Sequence, residues 1–244
     1  MWSINTCRSR RAAKSDCCLH LTDMENPSEA GQVILINKPL HWTSADVVKK
    51  IRNLVKVKVG HAGTLDPLAT GLLILCTGKF TKKISEYMSR EKEYTGTFTI
   101  GATTASYDLE NEPGDFRDFS RVTLEQIQKA AQLFTGEIMQ LPPAYSAIKK
   151  NGQRAYHLAR QGKPVNLEKR KITIRVFEMS FDQLPVIDFR VICSTGTYIR
   201  SLAHDVGEAL GCGAYLSKLC RTRIGDYVLD EALTMEQATD KFKM

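Results

Sequence analysis

Gly60-His61-Ala62-Gly63-Thr64-Leu65-Asp66-Pro67-Leu68-Ala69-Thr70-Gly71 is the most informative stretch of the chain. With three glycines, a proline and two threonines in twelve residues, it predicts an ordered loop and excludes a helix or a central strand. Val55, Val57 and Val59 alternate before it, predicting a short strand that runs into Gly60, and the apolar run Leu72–Cys76 predicts a strand after it. Pro67 biases Asp66 toward an extended conformation and removes the next backbone N–H donor. Leu65 and Leu68 are expected to anchor the loop in the core, which leaves the Asp66 carboxylate on a fixed, non-helical support. Function concentrates on loops of this kind, although an Asp-Pro pair making an ordinary Asx-turn is the competing reading.

Outward from this loop, Val33–Asn37 reads as a buried strand closed by Lys38-Pro39. Thr43-Ser44-Ala45-Asp46 is a helix start of capping-box type, followed by Val47, Val48, Ile51, Leu54 and Val55 at helical spacing. Phe80–Ser89 predicts a helix, and Thr123–Phe134 an amphipathic one. In Lys92–Gly101, Tyr94, Gly96, Phe98 and Ile100 alternate with Glu93, Thr95, Thr97 and Thr99, as a strand with two unlike faces requires. Further strands are expected at 171–181, 186–194 and 215–224, and helices at 153–161, 197–210 and 234–242. Long alternating strands mixed with helices, without a regular βαβ rhythm, predict an α+β fold around a largely antiparallel sheet.

The chain has 244 residues, and its apolar runs are far shorter than the roughly 18–20 residues that cross a bilayer. Its seven cysteines form no C-x-x-C pair, and Cys76 and Cys193 sit in apolar runs, the usage of a reducing compartment. The five histidines show no metal-ligand spacing, so no metal site is expected. Charge is unevenly placed: 34 Lys and Arg against 27 Asp and Glu give +7. Nine cations and a single acid, Glu168, lie between Lys149 and Arg175, so the remainder is close to neutral. With Tyr145, Tyr156 and His157 interleaved, that segment suits a phosphate backbone with unstacked bases, and a solvated charged face is the plainer reading. Residues 1–30 lack apolar periodicity and are set apart from the fold as a disordered tail or an upstream start, with Met24 as initiator. Their Arg- and Ser-bearing head also fits an organelle presequence, but no apolar stretch makes it a signal peptide.

The pattern G-H-x-G-x-L-D-P-x-A-x-G, as it stands from Gly60 to Gly71, resembles the catalytic motif of the TruB family of tRNA pseudouridine synthases. Three more blocks match in order. Asn37-Lys38-Pro39 with Trp42-Thr43-Ser44 resembles the opening K-P-x-G-x-T-S motif, with His41 where glycine is usual. Lys92-Glu93-Tyr94 and Gly101–Thr104, leading to Asp108, resemble the tyrosine strand. Gly196-Thr197-Tyr198-Ile199-Arg200, followed by Leu219 and Arg221-Thr222-Arg223, resembles the arginine motif. The match covers about residues 32–242.

The resemblance implies the pseudouridine synthase fold over residues 31–244 and conversion of uridine to pseudouridine at position 55 of the tRNA T loop, with no cofactor. Asp66 takes the role of nucleophile, and Arg200 pairs with it in a two-pronged contact that lysine cannot reproduce. Tyr94 stacks on the everted uracil, with its hydroxyl a candidate proton acceptor, and Tyr198 and Leu219 wall the pocket. His61 occupies space near the vacated stacking position, and Lys38 and Pro39 support the loop. Gly136–Lys171 corresponds to a thumb that closes on the T arm, with Lys149 and Lys150 as backbone contacts. Many relatives continue into a PUA domain. A chain ending at Met244 is expected to lack it and to act as a cytoplasmic monomer without guide RNA. The rival readings are a non-catalytic tRNA-folding chaperone and a glycoside hydrolase using Asp66 with Asp108.

Overall fold

The computed structural model describes residues 31–146, 148–150 and 152–243, so the 1–30 segment with Met24 lies outside the described residues. The strands are β1 (Val33–Lys38), β2 (Val59–His61), β3 (Ala69–Thr77), β4 (Lys92–Ile100), β5 (Gly136–Gln140), β6 (Lys149–Lys150), β7 (Gln153–Arg154), β8 (Arg170–Ser180), β9 (Val186–Cys193), β10 (Ala214–Ile224) and β11 (Tyr227–Val228). The α-helices are α1 (Ser44–Val55), α2 (Ile84–Ser89), α3 (Leu124–Leu133), α4 (Ala155–Arg160), α5 (Ile199–Leu210) and α6 (Met235–Phe242). One mixed sheet runs β1-β3-β10-β4-β9-β8-β5, with β2 beside β3 and β11 beside β10, while β6 and β7 form a separate ribbon. Every pairing in it is antiparallel except β3 with β10, where Ala69, Thr70 and Gly71 face Leu219, Cys220 and Arg221. The α+β expectation therefore holds.

Strand parity sorts the core. Ile34 and Ile36 of β1 and Leu73 and Leu75 of β3 point to one face and are covered by α1 and α6. Register carries that face through Leu219 and Arg221 to Tyr94, Gly96, Phe98 and Ile100 of β4, which α3 and α5 cover from the other end. Val33, Leu35, Leu72, Ile74 and Cys76 point the opposite way, beneath the short helices at 78–89. The α1 capping box forms as the sequence predicts, with Thr43 and Asp46 each bonded to the other's backbone N–H.

Three expectations need correction. Val55 ends a helix instead of starting a strand: it completes the stripe Val47, Ile51, Val55, and Lys56 closes the helix with a left-handed φ of 56°. The glycine-rich loop is also shorter than its composition suggests, because Gly60 and His61 belong to β2 and Ala69–Gly71 to β3, an interior strand. Gly71 has φ +103°, and a Cβ there would come within 2.4 Å of the Arg221 carbonyl, so this glycine lets β10 approach rather than breaking the strand. Finally, the 80–89 helix begins as a 3-10 turn at Gly78–Lys83 before α2. Beyond those expectations, Gly136–Gln140 forms the edge strand β5.

Candidate active site

Asp66 sits on a tight turn between β2 and β3, with the Ala69 N–H donating to the Asp66 carbonyl at 3.0 Å. Its neighbours on both sides are clamped by the segment around the α1 start. Ser44 Oγ accepts from the Leu65 N–H at 2.9 Å and donates to the Leu65 carbonyl at 3.1 Å. The Pro67 carbonyl accepts from the His41 N–H at 2.8 Å and from Lys38 Nζ at 3.4 Å. Lys38 is fully buried and also donates to the carbonyls of Trp42 (2.6 Å) and Pro39 (2.9 Å). Burial pushes its ammonium down to about 8, with Asp66 pulling upward and Arg221 adding to the lowering. The Lys38–Ser44 segment is thus a bracket for the loop, as expected of Lys38. Ser44, which the sequence reading passed over, carries the tightest part of that bracket.

Arg200 reaches Asp66 from the first turn of α5. Its Nε lies 3.0 Å from Asp66 Oδ2 and 3.5 Å from Asp108 Oδ2, its Nη1 donates to the Ser106 carbonyl (3.3 Å) and its Nη2 to the Tyr145 carbonyl (2.9 Å). The expected two-pronged grip is therefore absent: one edge nitrogen meets the carboxylate because carbonyls occupy the terminal nitrogens. The exposures matter, since Arg200 is 6% exposed while the Asp66 carboxylate is 40% exposed. The cation is walled in and the anion faces outward. Asp108, 5% exposed, also accepts from the Glu110 N–H at 3.0 Å. Burial pushes its carboxyl up, with Arg200 acting against that shift.

Asp66, Asp108 and Leu219 line one narrow cleft with Leu68, Ala69 and Leu216–Lys218. Tyr94, half-buried, is paired across the sheet with Arg221, and burial pushes its hydroxyl up while Arg221 acts against it. Tyr198 caps α5, its N–H donating to Gln140 Oε1 at 2.8 Å while Gln140 Nε2 donates to its carbonyl at 3.0 Å. Burial raises the Tyr198 hydroxyl, with Arg170 and Arg200 acting against that and the charge of Asp66 adding to it. Asp66 thus pairs with Arg200 and lines the cleft with Leu219, and its charge reaches both Tyr94 and Tyr198. His61 lies in β2, opposite Leu75, where burial lowers its imidazole and Arg221 adds to the effect. Lys149 and Lys150 lie on the β6–β7 ribbon, and their side chains are outside the described residues.

Arg221 is the largest residue missed as a site component. It is 1% exposed, forms no ion pair among the described residues, and donates from Nε to the Leu72 carbonyl (2.8 Å) and from Nη2 to the Gly63 carbonyl (3.2 Å). Its sequence signals are its place in the Arg221-Thr222-Arg223 block of the arginine motif and its position two residues beyond Leu219, on the same strand face. Part of the cationic 149–175 segment is neutralised from elsewhere in the chain: Arg160 pairs with Glu110, Lys171 with Glu137 (3.0 Å) and Arg175 with Glu91 (2.8 Å). No group of three or more His, Cys, Asp or Glu able to hold a metal occurs among the described residues, and no described helix is long and apolar enough to cross a membrane.

The family model for the TruB family pseudouridylate synthase N-terminal domain matches residues 49–199, and that for the tRNA pseudouridylate synthase B C-terminal domain matches 200–244. The tRNA pseudouridine synthase B of Flavobacterium johnsoniae is 54% identical over 211 residues, covering 83% of this chain and 92% of that protein. The one from Parabacteroides distasonis is 48% identical over 218 residues, covering 86% and 93%. Among solved structures, a chain of a Cbf5–Nop10–Gar1 complex superimposes with TM-score 0.65 at 32% identity, over 84% of this chain and 52% of that one. A chain of an H/ACA RNP bound to a substrate RNA containing 2'-deoxyuridine gives 0.62 at 30%, over 84% and 51%. This chain spans about half the length of those two solved chains.

Proposed function

The chain belongs to the TruB family of pseudouridine synthases, and on that premise we propose that it converts uridine to pseudouridine in tRNA, at position 55 of the T loop. The observation that carries this reading is the pairing of a buried Arg200 with an outward-facing Asp66 at 3.0 Å. An anion fixed on a clamped turn and oriented by a walled-in guanidinium suits attack beside the sugar of an everted nucleotide. The N1–C1′ bond breaks, the base turns, the C5–C1′ bond forms, and the C5 proton is lost as N1 gains one. Both bonds lie within one nucleotide, and the change needs no electron donor.

Asp66 is the nucleophile in this scheme and Arg200 its orienting partner. Tyr94 stacks on the everted uracil, a contact of about 1–3 kcal/mol that offsets much of the unstacking. A hydroxyl raised by burial favours that stacking role over proton acceptance. Tyr198 and Leu219 close the pocket, His61 fills the neighbouring space, and Lys149 and Lys150 meet the T-arm backbone from the thumb. The enzyme acts as a cytoplasmic monomer without a guide RNA.

Base-resolved mapping of pseudouridine in tRNA tests this with wild type and Asp66→Asn. The expected result is modification at position 55 by wild type, and its loss with tRNA binding kept in the variant. A non-catalytic tRNA chaperone predicts no difference between the two proteins, and that outcome refutes the scheme.

A further inference from the structure

Besides the thumb there is a second concentration of positive charge, at the other end of the sheet. Between Lys38 and Lys83 there are nine Lys and Arg and only two acids, Asp46 and Asp66. Lys49, Lys50 and Arg52 on α1, with Lys56 and Lys58 just beyond it, are all exposed. None of the five forms an ion pair among the described residues, and only Lys49 feels a nearby carboxylate, Asp46. Several cations elsewhere are paired, by contrast: Arg90 with Asp226, Arg175 with Glu91, Arg190 with Glu93 and Glu178, and Arg223 with Glu93. Charge along α1 is left for something outside the protein.

The place of α1 gives that charge a direction. A shallow depression lined by His41, Trp42, Asp46, Lys49, Lys50 and Asn53 runs along the outer face of the helix. It starts directly behind the catalytic turn, because the His41 N–H is bonded to the Pro67 carbonyl at 2.8 Å. By strand order, α1 lies over the β1–β3 end and the thumb leaves the sheet from β5 and β8 at the other, with Asp66 and Arg200 between them. A polyanion lying across the cleft meets cations on both sides.

We infer that the exposed face of α1, with Lys49, Lys50 and Lys56, is a second backbone-binding surface for the tRNA substrate, flanking the cleft opposite the thumb. The inference rests on the tRNA-modifying reading above. Released counterions are its signature, since each lost duplex phosphate contact lowers the slope of log K against log salt by about 0.9.

The test measures tRNA binding from about 50 to 300 mM salt for wild type and for the triple variant Lys49→Ala, Lys50→Ala, Lys56→Ala. A control triple, Lys79→Ala, Lys82→Ala, Lys83→Ala, removes the same charge from the opposite sheet face, where Phe80 and Ile84 pack. The α1 triple is expected to lose about two to three units of salt slope and at least about tenfold in affinity at low salt, with the control near wild type. A wild-type slope in the α1 triple, or an equal loss in the control, overturns the inference while wild-type modification of tRNA leaves the function standing. Failure of wild type to modify tRNA, with the α1 loss intact, counts against the function alone.

Discussion

Replacing Ser44 with alanine isolates the bracket from the chemistry, because Ser44 is buried, its hydroxyl bonds only Leu65, and it does not line the cleft. The change removes the hydroxyl that accepts from the Leu65 N–H at 2.9 Å and donates to its carbonyl at 3.1 Å. Leu65 is 3% exposed, so water does not readily replace the lost partner. A buried N–H left without an acceptor costs about 1–3 kcal/mol, and the vacated oxygen fills with nothing, which sets the expected loss near 2 kcal/mol. For a folded region of this size that is about 4–8 °C in melting temperature. Asp66 is the next residue, and a displacement of about 1 Å at a reacting group can cost about a hundredfold in rate. Scanning calorimetry paired with single-turnover pseudouridine formation should show a lower Tm and a kcat down about tenfold or more, with KM for tRNA little changed. An unchanged Tm refutes the two bonds; a lowered Tm with wild-type kcat refutes the claim that they aim Asp66.

Three further outcomes follow from the same geometry. Arg200→Lys offers one ammonium where Asp66 and the carbonyls of Ser106 and Tyr145 need three nitrogens, so kcat should drop about a hundredfold or more; rates within a few-fold of wild type contradict this. Lys38 holds its proton less tightly when folded, at about 8, than when unfolded, near 10.5, so folding is penalised below about pH 8 and the penalty fades as pH rises toward 10.5. Urea titrations at pH 7.5 and 9.5 should show wild type gaining on Lys38→Met by on the order of 1–3 kcal/mol, and a constant gap would count against the burial of that ammonium. His41 has φ 65°, a conformation suited to the glycine usual in the motif, so His41→Gly should leave stability equal or raise it by up to about 1 kcal/mol in thermal melts; a marked loss would mean that the imidazole holds the bend.

Local signals were legible in the sequence wherever a single element produces them. The alternation of Tyr94–Ile100, the Thr43–Asp46 box and the stripe of α5 all appear where their spacing puts them. The centre of the site was legible through its motif, since Asp66 and Arg200 do meet. What stayed hidden depends on which strand lies beside which. Gly71 reads as a loop breaker until the β10 backbone is set against it, and Arg221 reads as one more strand cation until Gly63 and Leu72 present their carbonyls. The charge count over 149–175 missed Glu91, Glu110 and Glu137 because those acids arrive from other strands and loops. Residues thirty or more positions apart share a neighbourhood only through register, which no local pattern encodes.

The parallel seam between β3 and β10 is only three residue pairs long, yet it joins the part of the sheet that carries Asp66 to the part that carries Arg200. The Asp66 carboxylate and the Arg200 guanidinium therefore belong to opposite banks of one narrow weld. Any slippage along it, from heat, mutation or a half-folded chain, would separate them before either bank lost its own packing. Catalytic competence should thus vanish early in unfolding, which makes turnover a more sensitive report of a well-seated sheet than helix content.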